Sequence, residues 1–137
     1  MPLGTTAAND LLLNWLNSTA LSWTANGNVY ISLHVGTPGA GGSQTTNEAA
    51  YTSYDRVAVT RSGAGGWTVV SNAASNTAQI QFPTATGGSS ACDYVAIGTA
   101  ASGARQLLAF GALGSTVTVT NNITPQFAIG ALTWTAT

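Results

Sequence analysis

Apolar residues near the start of the chain repeat with a helical period. Five of them fall at positions i, i+3, i+4, i+7 and i+8, the spacing of one helix face: Ala8, Leu11, Leu12, Trp15 and Leu16. The pattern predicts an amphipathic helix over about residues 5–20, with Thr5 or Thr6 as the N-cap and Asp10 near the positive end of the helix dipole. A helix of about 15 residues is marginal alone in water. Its apolar face therefore either covers a sheet or holds a neighbouring subunit.

Beyond Trp23 the period changes to two, which is typical of β-strands. In the run 29–35, four aliphatic residues point to one face, while Tyr30, Ser32 and His34 point to the other. Further strands are predicted at 54–61, 66–71, 77–82, 92–99, 105–113, 115–120 and 126–136. Gly130 is predicted to mark a bulge in the last of these. About eight antiparallel strands with glycine-rich turns predict a mainly β fold, a single β-sandwich or jelly-roll-like domain over residues 1–137.

The composition is unusual in its lack of charge. Only 5% of the residues are charged, against about 25% in ordinary proteins, and all three basic residues are arginines. With a net charge of −1, nothing keeps copies of the chain apart, so self-association or docking on a larger body is expected. Three arginines cannot form a phosphate-binding stripe, which argues against nucleic acid as a partner. We also expect no membrane partner, because no apolar run approaches the ~20 residues of a membrane helix.

Candidate chemistry is scarce. The glycine-rich loop 36–43 has no lysine, so it is not a P-loop. His34 is the only imidazole, and no nucleophile-elbow pattern accompanies it, so a structural hydrogen bond is the expected role. One histidine, one cysteine and four scattered carboxylates give no metal-ligand spacing. The sequence therefore predicts no catalytic residues, no cofactor and no metal. Cys92 lies in strand context, which predicts a small buried side chain in a protein made in a reducing cytoplasm.

The segment from 29 to 59 carries the remaining signals. Its loop, 36–53, is long for a compact domain, and loops of that length are usually functional or flexible. Arg56 is predicted to fix this loop by hydrogen bonds to Glu48 or to loop carbonyls. Tyr51 and Tyr54, at the end of the loop, are predicted to contact a partner, together with the helix residues Leu11, Leu12, Trp15 and Leu16. Three tryptophans are further candidates for a sugar-stacking platform or an interface: Trp23, Trp67 and Trp134.

The order of these short motifs resembles a family of small tailed-bacteriophage virion proteins, often labelled tail fibre proteins. The resemblance rests on Tyr30-Ile31-Ser32-Leu33-His34, the Thr37-Pro38-Gly39 loop, Asn47-Glu48, Tyr54-Asp55-Arg56 and Val95-Ala96-Ile97-Gly98, and it covers nearly the whole chain. Val35-Gly36 stands where the family more often has a threonine and an acidic Asp-Pro-Gly, and Asp55 stands between Tyr54 and Arg56. In size and β-rich plan, such proteins are similar to the decoration or cement proteins of phage heads.

The resemblance implies a structural protein of the virion. The expected role is a homotrimeric capsid decoration protein on the capsid surface, with the phage major capsid protein as its partner. The alternative is a tail fibre or baseplate module that binds a host surface glycan through the 36–53 loop. Tail fibres usually have an elongated, repetitive shaft, and this chain has no internal repeat, which favours the head.

Overall fold

The computed structural model describes residues 1–137, which form one helix and nine strands. The helix α1 spans Thr5–Asn17. The strands are β1 (Asn28–His34), β2 (Val57–Thr60), β3 (Trp67–Val70), β4 (Ala73–Asn76), β5 (Ile80–Gln81), β6 (Ser90–Gly98), β7 (Leu107–Val119), β8 (Gln126–Phe127) and β9 (Thr133–Thr135). The predicted mainly β fold with one helix is confirmed, and its antiparallel sheets are those of a β-sandwich.

The largest sheet has four antiparallel strands in the order β2-β1-β6-β7. Its central strand β1 is buried along both faces from Ile31 to His34. Most of the main core lies on the face that carries Ile31, Leu33, Val95 and Ile97, within one cluster of 16 buried hydrophobic residues. A second, smaller cluster consists of Ala96, Leu107 and Phe110. The face of β1 that alternation predicted to be polar is therefore covered at Ser32 and His34.

The long strand β7 corrects one prediction. Two strands were expected, at 105–113 and 115–120. The chain instead forms one strand that pairs with β6 on both sides of an irregularity, with Tyr94 opposite Ala112 and Cys92 opposite Val117. Asp93 alone faces the unpaired segment 113–116, which contains Gly114 and does not end the strand.

The end of the chain also differs from its prediction. The predicted strand 126–136 is two short strands, of which β8 pairs with β5 and β9 pairs with β4. A turn separates them, and Gly130 in it has a φ of 74°, a left-handed conformation that suits glycine. The buried side chain of Asn76 holds this turn, since its Oδ1 accepts from Leu132 N at 2.9 Å and its Nδ2 donates to Ala128 O at 2.9 Å. Gly130 therefore forms a turn rather than a bulge.

Helix α1 is shorter than predicted and differs at its start. The N-cap is Gly4, with no capping side chain, so neither Thr5 nor Thr6 has that role. Asp10 lies beyond the first turn, and its Oδ2 accepts a hydrogen bond from Gln106 Nε2 at 2.8 Å. Ser18, with a φ of 55°, ends the helix in a left-handed conformation. At 13 residues, α1 is too short to cross a bilayer.

Candidate functional site

Helix α1 is docked at its beginning and exposed at its end. Ala7 is buried in the main core, and Leu11 is partly buried. The following turn projects from the domain, where Leu12 is 52% exposed, Trp15 70% and Leu16 77%. We call these three side chains the α1 surface. Exposed groups of large apolar side chains on a folded chain are typical of interaction sites.

The polypeptide around Gly4 explains why only the start of α1 is docked. Leu3 forms an isolated bridge with Ala109, and Gly4 N donates to Leu108 O at 3.0 Å. Thr5 N donates to Ala40 O at 2.7 Å, which ties the first turn to the glycine-rich loop. The glycine is required, because a Cβ at position 4 would overlap the backbone carbonyl of Leu107. These contacts and the Asp10–Gln106 hydrogen bond attach the first half of the helix beside the edge strand β7.

The two tyrosines predicted to contact a partner face the interior instead. Tyr51 is 2% exposed, and its hydroxyl donates to Pro83 O at 3.0 Å. Tyr54 packs against the same core, with its ring stacked on Phe82 at a centroid distance of 6.3 Å. Burial raises the pKa of Tyr51 to about 12 and also raises the pKa of Tyr54. The prediction of a partner contact is therefore wrong for Tyr51, and Tyr54 belongs to the core and to the polar network of Arg56.

Arg56 lies at the centre of that network. Its Nε donates to Glu48 Oε1 at 2.6 Å and its Nη2 donates to Glu48 Oε2 at 2.8 Å, a bidentate pair. The Tyr54 hydroxyl donates to the same carboxylate at 3.0 Å. The remaining donors of Arg56 reach two carbonyls of a second loop, Ala100 O and Gly103 O, both at 3.0 Å. One buried guanidinium thus joins the 36–53 loop to the loop between β6 and β7.

Gln44 makes a second connection between the same loops, and sequence reasoning missed it. Its side chain is fully buried; the Nε2 donates to Ala100 O and the Oε1 accepts from Ala100 N, both at 3.1 Å. A Cβ on Gly98 would overlap this amide, so the glycine makes room for it. A glutamine in a glycine-rich loop gives no periodic signal, and the Gly98 that accommodates it lies 54 residues later in the chain.

His34 is enclosed by these loops. Its Nδ1 lies 2.8 Å from Thr46 O and must donate to that carbonyl, so its Nε2, 2.8 Å from Ser32 Oγ, accepts from the hydroxyl. The ring is fully buried, and desolvation lowers the pKa of His34 below its ordinary value. The geometry is that of a neutral histidine holding the loop, with both nitrogens occupied. Cys92 is also buried and forms no disulfide; burial raises the pKa of its thiol to about 11.

The three candidate tryptophans come together, although not as an exposed platform. Trp23, Trp67 and Trp134 line one apolar cavity of about 450 Å³ between α1, the four-stranded sheet and the sheet of β3, β4 and β9. Trp134 Nε1 also donates to Met1 O at 2.9 Å, which links the two ends of the chain. Nothing in the alternation of single strands indicates this cavity, because its walls come from three separate elements.

The chain matches the model of a known protein family. Residues 2–135 fit the model of a protein family described as Podophage GP4 fiber I protein gp80. No curated protein matches the chain.

Proposed function

Since the chain belongs to the podophage GP4 fiber I protein gp80 family, we propose that this structural protein of the phage virion is a homotrimeric component of a fibre. The coarse prediction of a bacteriophage structural protein agrees with the family. The family description names a fiber, which favours the tail-fibre alternative over the capsid surface. The proposed role is architectural, with no catalytic step.

The observation that carries the proposal is the α1 surface. Leu12, Trp15 and Leu16 are 52%, 70% and 77% exposed in the second half of a helix whose first half is attached to the domain. Burying such side chains against another copy is favourable, at about 25 cal/mol per Å² of apolar area removed from water. A net charge of −1 provides no electrostatic repulsion to oppose that contact. Three α1 helices meeting around a threefold axis bury all three copies of the surface at once.

A head location is the second candidate. The chain folds into packed sheets without the repetitive shaft that fibres usually carry. In that case, the α1 surface would dock on the major capsid protein, with the trimer occupying a threefold position of the lattice.

One observation supports glycan binding by the loops. A shallow polar groove of about 170 Å³ lies over the Arg56 network and is lined by Thr45, Asp55 and Ser102, among others. Polar side chains at a concave surface suit hydroxyl-rich ligands. The predicted stacking by Tyr51 and Tyr54 does not contribute, because Tyr51 is buried and the Tyr54 ring packs against the core.

Size-exclusion chromatography with light scattering tests the oligomer. At micromolar concentration, the wild-type protein should have about three times the mass of one 13.8 kDa chain. The double variant Trp15→Ser/Leu16→Ser should run as a monomer with an unchanged circular dichroism spectrum. Ile129→Ser is the matched control, because Ile129 is also 70% exposed but lies outside α1. A wild-type monomer, or a trimer unaffected by the double variant, contradicts the proposal.

A further inference from the structure

The apolar cavity between α1 and the two sheets is large for a domain of this size. Its volume is about 450 Å³, and eleven of its fourteen lining residues are hydrophobic. Ligand pockets measure roughly 300–1,000 Å³, and this one is partly open to solvent. An apolar molecule that enters it displaces water from apolar walls, which is favourable. The size and the apolar lining of the cavity therefore fit a hydrocarbon chain better than they fit a sugar.

One charged group, Arg61, marks one side of this cavity. Trp23 also lines the wall, but its indole N–H is covered by protein atoms and does not face the cavity. Arg61, also in the wall, stacks on the Trp23 ring with its guanidinium carbon 5.0 Å from the ring centroid.

Arg61 has capacity for a further partner. Its Nη1 donates to the carbonyls of Trp23, Thr24 and Asn26, at 3.3, 2.8 and 2.8 Å, and these bonds hold the side chain in place. The N–H groups on Nε and Nη2 make no hydrogen bond within the chain. The one ion pair of the structure joins Arg56 to Glu48, so the charge of Arg61 is not neutralised. A fixed guanidinium with free donors recognises carboxylates.

From these observations we propose that the cavity binds a small amphiphile, a hydrocarbon chain that ends in a carboxylate. The chain occupies the space among Trp67, Trp134 and the aliphatic wall residues. The carboxylate lies at the Arg61 side, where the free guanidinium N–H groups are the donors. This inference stands on the cavity and its polar side alone, and it holds whether or not the protein is a trimer.

Decanoate is the probe, and tryptophan fluorescence is the readout. In the Trp15→Phe background, the three remaining tryptophans all line the cavity, so the signal reports that cavity alone. Decanoate should change the fluorescence saturably, with isothermal titration calorimetry giving one site per chain. Arg61→Gln should weaken decanoate binding by about threefold to fivefold, the size expected for an exposed charge pair. The affinity for decan-1-ol, which has no charge, should stay unchanged.

Two variants test the location. Ala74→Phe fills the cavity from β4, and Val69→Trp obstructs it from β3, where Val69 is 68% exposed and tolerant of change. Each should lower the affinity for both probes by at least about tenfold. Arg105→Gln, which removes an exposed arginine outside the cavity, is the control and should bind as the wild type does.

Two results would overturn the proposal. One is the absence of saturable decanoate binding by the wild-type chain; if Trp15→Ser then binds decanoate, a neighbouring copy fills the cavity instead. The other is binding that survives both Ala74→Phe and Val69→Trp, since the site would then lie elsewhere. If Arg61→Gln binds decanoate as tightly as the wild type does, the proposed contact between Arg61 and the carboxylate is wrong.

Discussion

Replacing Arg56 with alanine should destabilise the protein strongly, because one buried side chain holds two loops. The variant loses two hydrogen bonds to Glu48 and two to the carbonyls of Ala100 and Gly103. The Arg56 side chain is 3% exposed and that of Glu48 is 15% exposed, so the abandoned carboxylate is only partly rehydrated. Removing one partner of a buried ion pair costs about 3–5 kcal/mol. The Tyr54 hydroxyl still donates to Glu48, which places the expected loss near the lower limit, at about 3 kcal/mol.

Thermal unfolding followed by circular dichroism measures this loss. For a chain of this length, about 3 kcal/mol corresponds to a fall in Tm of roughly 10–15 °C. Limited proteolysis of Arg56→Ala should cut first within 36–50 and within 99–105, the two segments that the guanidinium connects. Arg105→Ala is the matched control, since Arg105 is exposed and makes no side-chain hydrogen bond, and its Tm should stay within about 2 °C of the wild type. An Arg56→Ala variant as stable as this control would refute the anchoring role.

Three further predictions concern buried polar groups. Because burial lowers the pKa of His34 below its ordinary value of about 6.5, the unfolded chain takes up the proton first. The unfolding free energy should therefore fall as the pH drops below about 6.5, and His34→Gln should flatten that part of a urea-denaturation profile. Gly98→Ala should lower the free energy of unfolding by about 1–3 kcal/mol, because the added Cβ overlaps the Gln44 amide. A double-mutant cycle with Gln44→Ala should show strong coupling between the two substitutions. Additive effects of the two substitutions would contradict this contact. Asn76→Ala should cost about 1–3 kcal/mol, because the buried N–H of Leu132 and two backbone carbonyls lose their partner. The exposed Asn72→Ala should change thermal stability little.

Much of the fold can be predicted from periodicity, because the signals are local. The run 29–35 gives β1 within one residue at each end, and the helical stripe gives α1. Alternation shows which residues share a face but not whether the second face is covered. Ser32 and His34 were assigned to a polar face, and they are buried because the loops tied by Gln44 and Arg56 lie over them.

Only the charged part of the candidate site could be predicted from the sequence. The rarity of charge made Glu48 and Arg56 conspicuous, and their pairing follows from opposite charge in neighbouring segments. Tyr51 was wrongly predicted to be exposed, because it lies at the end of a long loop. Its ring is buried in the core, and its hydroxyl donates a hydrogen bond to Pro83 O. The tryptophan cavity depends on three elements meeting in space, and no pattern within one element encodes that meeting.

Cryo-electron microscopy of the purified phage shows where the protein lies and how its copies touch. We expect trimeric density for this domain in a fibre of the particle, with Leu12, Trp15 and Leu16 buried at the contacts between copies. Trimeric density on the head lattice would instead support the decoration role. A mature virion without the protein, or copies of the domain whose α1 surfaces face solvent, would contradict the proposed trimer.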